Sequence, residues 1–313
     1  MSRIVRVSTI GTQRANPGKT QEESLKNVIS YLDMVIGKAL CDKPDFILLH
    51  ENSDIPSFAP EERAEFYKYR GDAVHRHIAD ICKKNKVNIC YGSSRDGGDG
   101  WNRNSAVFIN RDGETVGVYN KNHLVMEEYT NCHIRYGKDP ELIETDFGKV
   151  GAAICYDLQF DELREKYMKL RPELIVFPSL FQGGFLKQYW AFSNRCWFVS
   201  SIGIGNAPCE VINPLGEVVA KSSSYFSHLT VDINLDYCIA HLDYNGERIT
   251  RMKQKYGDEV QLCAPSGLGR VMITSFSETV SACEMAKEFE IELIDELFAR
   301  NLGSRHTEGN IED

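Results

Sequence analysis

In the N-terminal part of the chain the spacing of apolar positions changes repeatedly between two periods. Ile4-Val5-Arg6-Val7-Ser8-Thr9-Ile10 alternates apolar and polar residues, the mark of a strand with one buried face. From Gln21 to Leu40, the residues Leu25, Val28, Ile29, Leu32, Val35, Ile36 and Leu40 recur three and four apart and predict an amphipathic helix. Residues 46–50 form a short apolar run that predicts a buried strand. Residues 61–86 carry Val74, Ile78 and Ile81 on one helical stripe, and 87–92 return to strand.

Two hairpin patterns follow. Ser105-Ala106-Val107-Phe108-Ile109-Asn110 and Glu114-Thr115-Val116-Gly117-Val118-Tyr119 flank Arg111-Asp112-Gly113; Glu210-Val211-Ile212-Asn213 and Glu217-Val218-Val219-Ala220 flank Pro214-Leu215-Gly216. Between them lie the apolar run that ends at Cys155, a helix over 161–170, a strand over 174–177, a helix over 187–196 and a strand over 198–202; a further strand spans 228–233. Crossover helices mixed with antiparallel hairpins predict an α/β fold of two mixed sheets packed together with helices outside. Beyond this point the periodicity is helical, over 242–255 and 278–299, and Ala282, Met285, Phe289, Leu293, Ile294, Leu297 and Phe298 form a stripe suited to core or subunit contact. The expected organisation is a main domain over 1–240 and a helical extension over 241–313 that packs on that domain or on a partner subunit.

The chain has 313 residues, 42% hydrophobic and 26% charged, enough to bury a large core. Its net charge of -9 lacks the basic footprint of a nucleic-acid binder. Arginines interrupt the apolar residues near the N-terminus, so no signal-peptide core is read there, and no window approaches the roughly 18 apolar residues of a membrane span. A cytoplasmic protein without nucleic-acid or membrane partners is expected. The ten cysteines show no CxxC pair and no compact cluster, which suits reduced thiols buried as small apolar groups. His75 and His77 stand two apart on a predicted helix and face different directions, so they are not read as a metal pair.

Three residues of reactive type stand where strand-like runs give way to loop: Glu51 after 46–50, Lys121 after 116–120, and Cys155 after Val150-Gly151-Ala152-Ala153-Ile154. A neighbouring ammonium lowers the pKa of a thiol and a carboxylate can take its proton, so the three together would make an activated nucleophile. Glu51 would be the general base and acid. Lys121, with the backbone N–H of Tyr156, would hold the oxyanion of a tetrahedral intermediate. A tight strand-to-helix turn at Cys155 would expose its side chain. Phe181, Trp190 and Tyr129 are candidates for a substrate pocket, and His123 is read as a support for the lysine loop.

The segments Asn104 to Gly117, Tyr119-Asn120-Lys121-Asn122-His123-Leu124 and Gly148 to Phe160, continued by Phe177-Pro178-Ser179 and Pro214-Leu215-Gly216-Glu217-Val218, resemble the nitrilase superfamily of carbon-nitrogen hydrolases over residues 1–240. The resemblance implies a four-layer α-β-β-α sandwich, a Glu51-Lys121-Cys155 triad and no metal or organic cofactor. It also implies a second glutamate after the lysine, for which Glu127 and Glu128 qualify and spacing favours Glu128, and assembly as a homodimer or larger homo-oligomer. Tyr156-Asp157 after the cysteine is similar to the amidase and omega-amidase branches, where nitrile hydrolysers carry Trp-Glu. The expected function is therefore an amidase acting on a small-molecule amide through a thioester. An N-carbamoyl amide hydrolase or a nitrilase on the same triad is the alternative, and a silent ligand-binding or scaffold protein is the reading from another class. Two departures from the family pattern, Phe160-Asp161-Glu162 and Arg195-Cys196-Trp197-Phe198-Val199, fall close to the motifs.

Overall fold

In the computed structural model, which describes residues 2–312, the alternating N-terminal segment is strand β1 (Ile4–Ile10). Helix α1 (Gln21–Leu40) starts where the Thr20 side chain accepts a hydrogen bond from the N–H of Glu23, and it buries Val28, Leu32, Val35 and Ile36. There follow β2 (Phe46–Leu49), α2 (Pro60–Arg70), α3 (Ala73–Asn85), β3 (Asn88–Asp96), β4 (Asn102–Ile109), β5 (Thr115–Asn120), α4 (Met126–Thr130), β6 (Ile143–Glu144) and β7 (Lys149–Ala152). A 3₁₀ turn at Cys155–Gln159 leads into α5 (Asp161–Leu170), β8 (Leu174–Ser179), α6 (Leu186–Asn194), β9 (Trp197–Ile202), β10 (Glu210–Ile212), β11 (Val218–Lys221) and β12 (His228–Asn234).

The strands form two six-stranded mixed sheets, in the orders β12-β1-β2-β3-β4-β5 and β11-β10-β9-β8-β7-β6. Each has parallel strands at its centre and hairpin strands at an edge: β1, β2 and β3 are parallel in one, β7, β8 and β9 in the other. Side chains of α1 and α3 share one apolar cluster with Ile47, Leu49, Ile89 and Val107 of the first sheet. Each fully buried aliphatic side chain of this kind contributes about 1.5 to 3 kcal/mol. On the second sheet, Tyr167 of α5 donates its hydroxyl hydrogen to the carbonyl of Ala152 and accepts from that residue's N–H. Between the sheets, Thr9 of β1 donates to the Ser200 carbonyl of β9 at 2.7 Å. The α-β-β-α architecture expected from the sequence is present.

Three expectations are corrected. The single helix over 61–86 is two helices, because Gly71 leaves the helical region at φ 51° and ends α2. The chain divides between Ile233 and Asn234 into two compact units, Val5–Ile233 and a second made of the chain up to Ile4 with Asn234 onward. That division falls within β12, and the expected boundary at residue 240 falls within strand β13 (Tyr237–His241). The second unit is not purely helical: α7 (Gly246–Tyr256), β14 (Val260–Cys263), β15 (Arg270–Ser275), α8 (Ala282–Glu288) and α9 (Ile294–Arg305) follow, and β13-β15-β14 is an antiparallel sheet. Its strands are short and mostly apolar, and periodicity alone does not separate such runs from helix or loop. The long stripe over 278–299 is likewise broken, at Glu290, whose φ is 52°.

Candidate active site

Glu51 lies two residues beyond β2, Lys121 directly after β5, and Cys155 three residues beyond β7. The fold brings all three strand ends together between the two sheets. Lys121 Nζ donates to Glu51 Oε1 at 3.0 Å and to Glu128 Oε2 at 2.8 Å. The Cys155 thiol lies near enough to both that Glu51 raises its pKa and Lys121 lowers it. Lys121 and Glu51 are buried, at 1% and 3% exposure, while Cys155 is half-buried. Charges this deep are tolerable only when paired and hydrogen-bonded.

Two groups that the sequence did not single out complete this pairing. The amide of Asn104, on β4, donates one hydrogen to Glu51 Oε1 at 2.7 Å and the other to Glu128 Oε1 at 2.8 Å. The backbone N–H of Leu180, just past β8, donates to Glu51 Oε2 at 3.0 Å. Glu128 also accepts the N–H of Val125 at 2.9 Å, which fixes the start of α4. Lys121 thus stands between two carboxylates that Asn104 holds in register.

Cys155 has φ 51°, in the left-handed region. For a residue with a side chain that conformation costs about 1 to 2 kcal/mol and needs support from its surroundings. Asp157 gives the support. Its buried carboxylate accepts the N–H of Ile154 at 2.9 Å, the Tyr119 hydroxyl at 2.7 Å and the N–H of His123 at 2.7 Å. One side chain therefore joins the cysteine turn to the segment that carries Lys121. His123 also stacks on Phe160 with ring centroids 3.9 Å apart, which matches its reading as a loop support.

The electrostatics follow from this packing. For Glu51, burial favours the neutral form, but Lys121, Asn104 and the Leu180 N–H outweigh it and lower the pKa. For Lys121, burial opposes the charge, and Glu51, Cys155 and Glu128 together raise its pKa above the ordinary value. The Cys155 thiol is pushed up by burial first and by Glu51 next, with Lys121 only partly countering. These directions favour an ionised Glu51, a charged Lys121 and a protonated Cys155 at rest. Lys121 lowers the thiol pKa as the pairing predicts, but burial and the adjacent carboxylate outweigh it.

The other sequence candidates scatter. Glu127 is exposed, and Lys121 meets Glu128 instead. Phe181 is half-buried beside Leu180. Trp190, expected at a pocket wall, is a core residue at 1% exposure; its Nε1–H donates to the Leu158 carbonyl at 3.1 Å and so supports the cysteine turn from beneath. Tyr156 is partly exposed and meets Phe160 edge-on. His75 bonds to Tyr91 and His77 to Asp33, on different sides of α3. Sequence reasoning also missed His50, whose ring bridges the Tyr31 hydroxyl at 2.9 Å and the Glu51 carbonyl at 2.9 Å.

Comparison with known proteins agrees with this geometry. The family model described as carbon-nitrogen hydrolase matches residues 13–241. The deaminated glutathione amidase of Dictyostelium discoideum is 23% identical over 236 residues, 65% of this chain and 81% of that protein. The omega-amidase of Danio rerio is 28% identical over 185 residues, 51% of this chain and 66% of that protein. Among solved structures, an amidase from Nesterenkonia sp. superposes with a TM-score of 0.65 at 15% identity, covering 82% of this chain and 97% of that one, a likeness of fold.

Proposed function

This chain belongs to the carbon-nitrogen hydrolase family, and from that premise we propose that it is an amidase that releases ammonia or an amine through a thioester on Cys155. The observation that carries the proposal is the pairing of Glu51 with Lys121 at 3.0 Å beside a Cys155 thiol whose pKa that carboxylate raises. Glu51 takes the thiol proton as sulfur attacks the amide carbon, and the same proton then goes to the departing nitrogen. Water, deprotonated by Glu51, cleaves the thioester and returns the proton to sulfur. An ammonium has three N–H donors. Glu51 and Glu128 take two of those on Lys121, which leaves one for the developing oxyanion. The N–H of Tyr156, in the first turn after Cys155, has no acceptor within that turn and would supply a second donor.

Tyr156-Asp157 and the named amidases among its relatives favour amides over nitriles and carbamoyl compounds. One cation bears on the acyl group. Arg14, on the loop after β1, has a buried Nη1 without a hydrogen-bond partner; burial and Arg63 lower its pKa while Glu51 raises it. A guanidinium so placed favours substrates that carry a carboxylate away from the amide. We also propose a cytoplasmic homo-oligomer, supported by the net charge of -9 and by exposed Phe298 and Leu302 on α9. Among the described residues no helix is long and apolar enough to cross a membrane.

Ammonia release from a panel of primary amides, nitriles and carbamoyl compounds tests the function. Turnover of amides, fastest for those with a second carboxylate, is expected. Turnover of nitriles alone would overturn the amidase reading. Inertness towards the whole panel, with Cys155 reduced, would favour a ligand-binding protein.

A further inference from the structure

Nine cysteines remain besides Cys155, and most are buried apolar fillers: at Cys90, Cys196 and Cys209 burial raises the thiol pKa. Cys238 on β13 and Cys283 in the first turn of α8 differ from these. The N–H of Ala282 donates to Asp236 Oδ1 at 2.9 Å, and the Cys238 thiol lies 3.5 Å from the Ala282 carbonyl as donor. These two contacts hold the start of α8 against β13 at the residue before Cys283. The Cys238 thiol therefore lies beside the residue that precedes Cys283, and each of the two thiols perturbs the pKa of the other. Cys238 is 6% exposed, while Cys283 opens to solvent.

We propose that Cys238 and Cys283 are a redox-active dithiol that a hydroperoxide converts into a disulfide. The pair has what the reaction needs: an accessible sulfur to meet the oxidant and a shielded sulfur held at the same turn to resolve the product. The Cys283 thiolate attacks the terminal oxygen of the hydroperoxide; an S–O bond forms, the O–O bond breaks, and the alkoxide leaves with a proton from water as an alcohol. Cys238 then gives up its proton and attacks the sulfenic sulfur; the S–S bond forms and the hydroxide leaves with that proton as water. Two thiols are oxidised by two electrons and one hydroperoxide is reduced, so the step balances as dithiol plus hydroperoxide to disulfide, alcohol and water.

The charge state of Cys283 suits this chemistry. The neighbouring Cys238 thiol pulls its pKa down to about 7, against burial and the acidic Asp236, Glu284 and Glu296. The Cys238 hydrogen has the Ala282 carbonyl as an acceptor at 3.5 Å. Cys238 itself stays protonated, since Cys283 and burial raise its pKa.

The test is peptide mapping of the reduced full chain after a small molar excess of hydrogen peroxide, with denaturation and N-ethylmaleimide to trap free thiols. The expected result is loss of two thiols of the ten and one linked peptide pair joining Cys238 to Cys283, reversed by dithiothreitol. Cys238→Ser should abolish the link and drive Cys283 to sulfinic acid. If that variant misfolds, Cys283→Ser, at an exposed position, serves instead and should keep its remaining thiols through the same dose. Oxidation of Cys283 to sulfinic acid in the unaltered chain while Cys238 remains alkylatable would overturn the proposal, as would prior loss of another cysteine.

Discussion

Two thiols in this chain sit in opposite surroundings. Cys155 is half-buried, raised in pKa by burial and by the Glu51 carboxylate beside it. Cys283 opens to solvent and is lowered to about 7 by a neighbouring thiol. By acidity alone the second would be taken for the nucleophile. The contrast teaches that amide cleavage requires a proton as much as a thiolate, because nitrogen leaves only when protonated. A thiol that keeps its proton until a carboxylate takes it delivers that proton where it is needed. A free thiolate answers to oxidants and soft electrophiles instead.

The largest expected effect separates the two directly. Cys155→Ala should lower amide turnover at least about a thousandfold with an unchanged circular dichroism spectrum, while Cys283→Ser leaves turnover intact. Loss of activity in the second variant would collapse the distinction.

Lys121→Met comes next and should cost about 3 to 4 kcal/mol of barrier stabilisation, read as a fall in kcat. A change in KM alone would remove Lys121 from the oxyanion. Lys121→Arg, which keeps the charge, shows whether charge or donor geometry matters.

The buried region should also show itself in stability. Burial holds the His50 pKa down to about 4, with its hydrogen bond to the Glu51 carbonyl acting the other way. The unfolded chain binds a proton there near pH 6.5, which the folded chain refuses until near pH 4. Stability from this group is therefore complete above pH 6.5 and falls by about 3 kcal/mol as pH drops to 4. Urea unfolding at several pH values checks this, and His50→Gln should flatten that part of the profile. Cys283 adds nothing in that window, because its lowered pKa contributes stability only as pH rises above about 7.

The smallest effect concerns labelling. N-ethylmaleimide near neutral pH should modify Cys283 at least about tenfold faster than Cys155, because the thiolate fraction sets the rate. Cys155 reacting first would mean that the site ionises its thiol at rest.

How much of this was legible before folding differs between the same two regions. Glu51, Lys121 and Cys155 each end an apolar run, and a strand end at a sheet rim is recognisable locally. Asn104, Asp157 and the Leu180 N–H were not legible, since their roles depend on hydrogen bonds between distant strands; Leu180 is 129 residues from Glu51. Trp190 was misplaced for a related reason, because composition marks an aromatic residue and only packing tells core from pocket. The pairing of Cys238 with Cys283 needed the short sheet β13-β15-β14, whose strands carry no alternation strong enough to announce them.

The most direct measurement is the acyl-enzyme itself. The protein is mixed with an amide that it hydrolyses, quenched in acid within milliseconds and mapped by peptide mass. The account predicts the acyl mass on the peptide containing Cys155, absent from every other cysteine, together with released ammonia. An acyl group on a different residue, or ammonia release undiminished in Cys155→Ala, would contradict it.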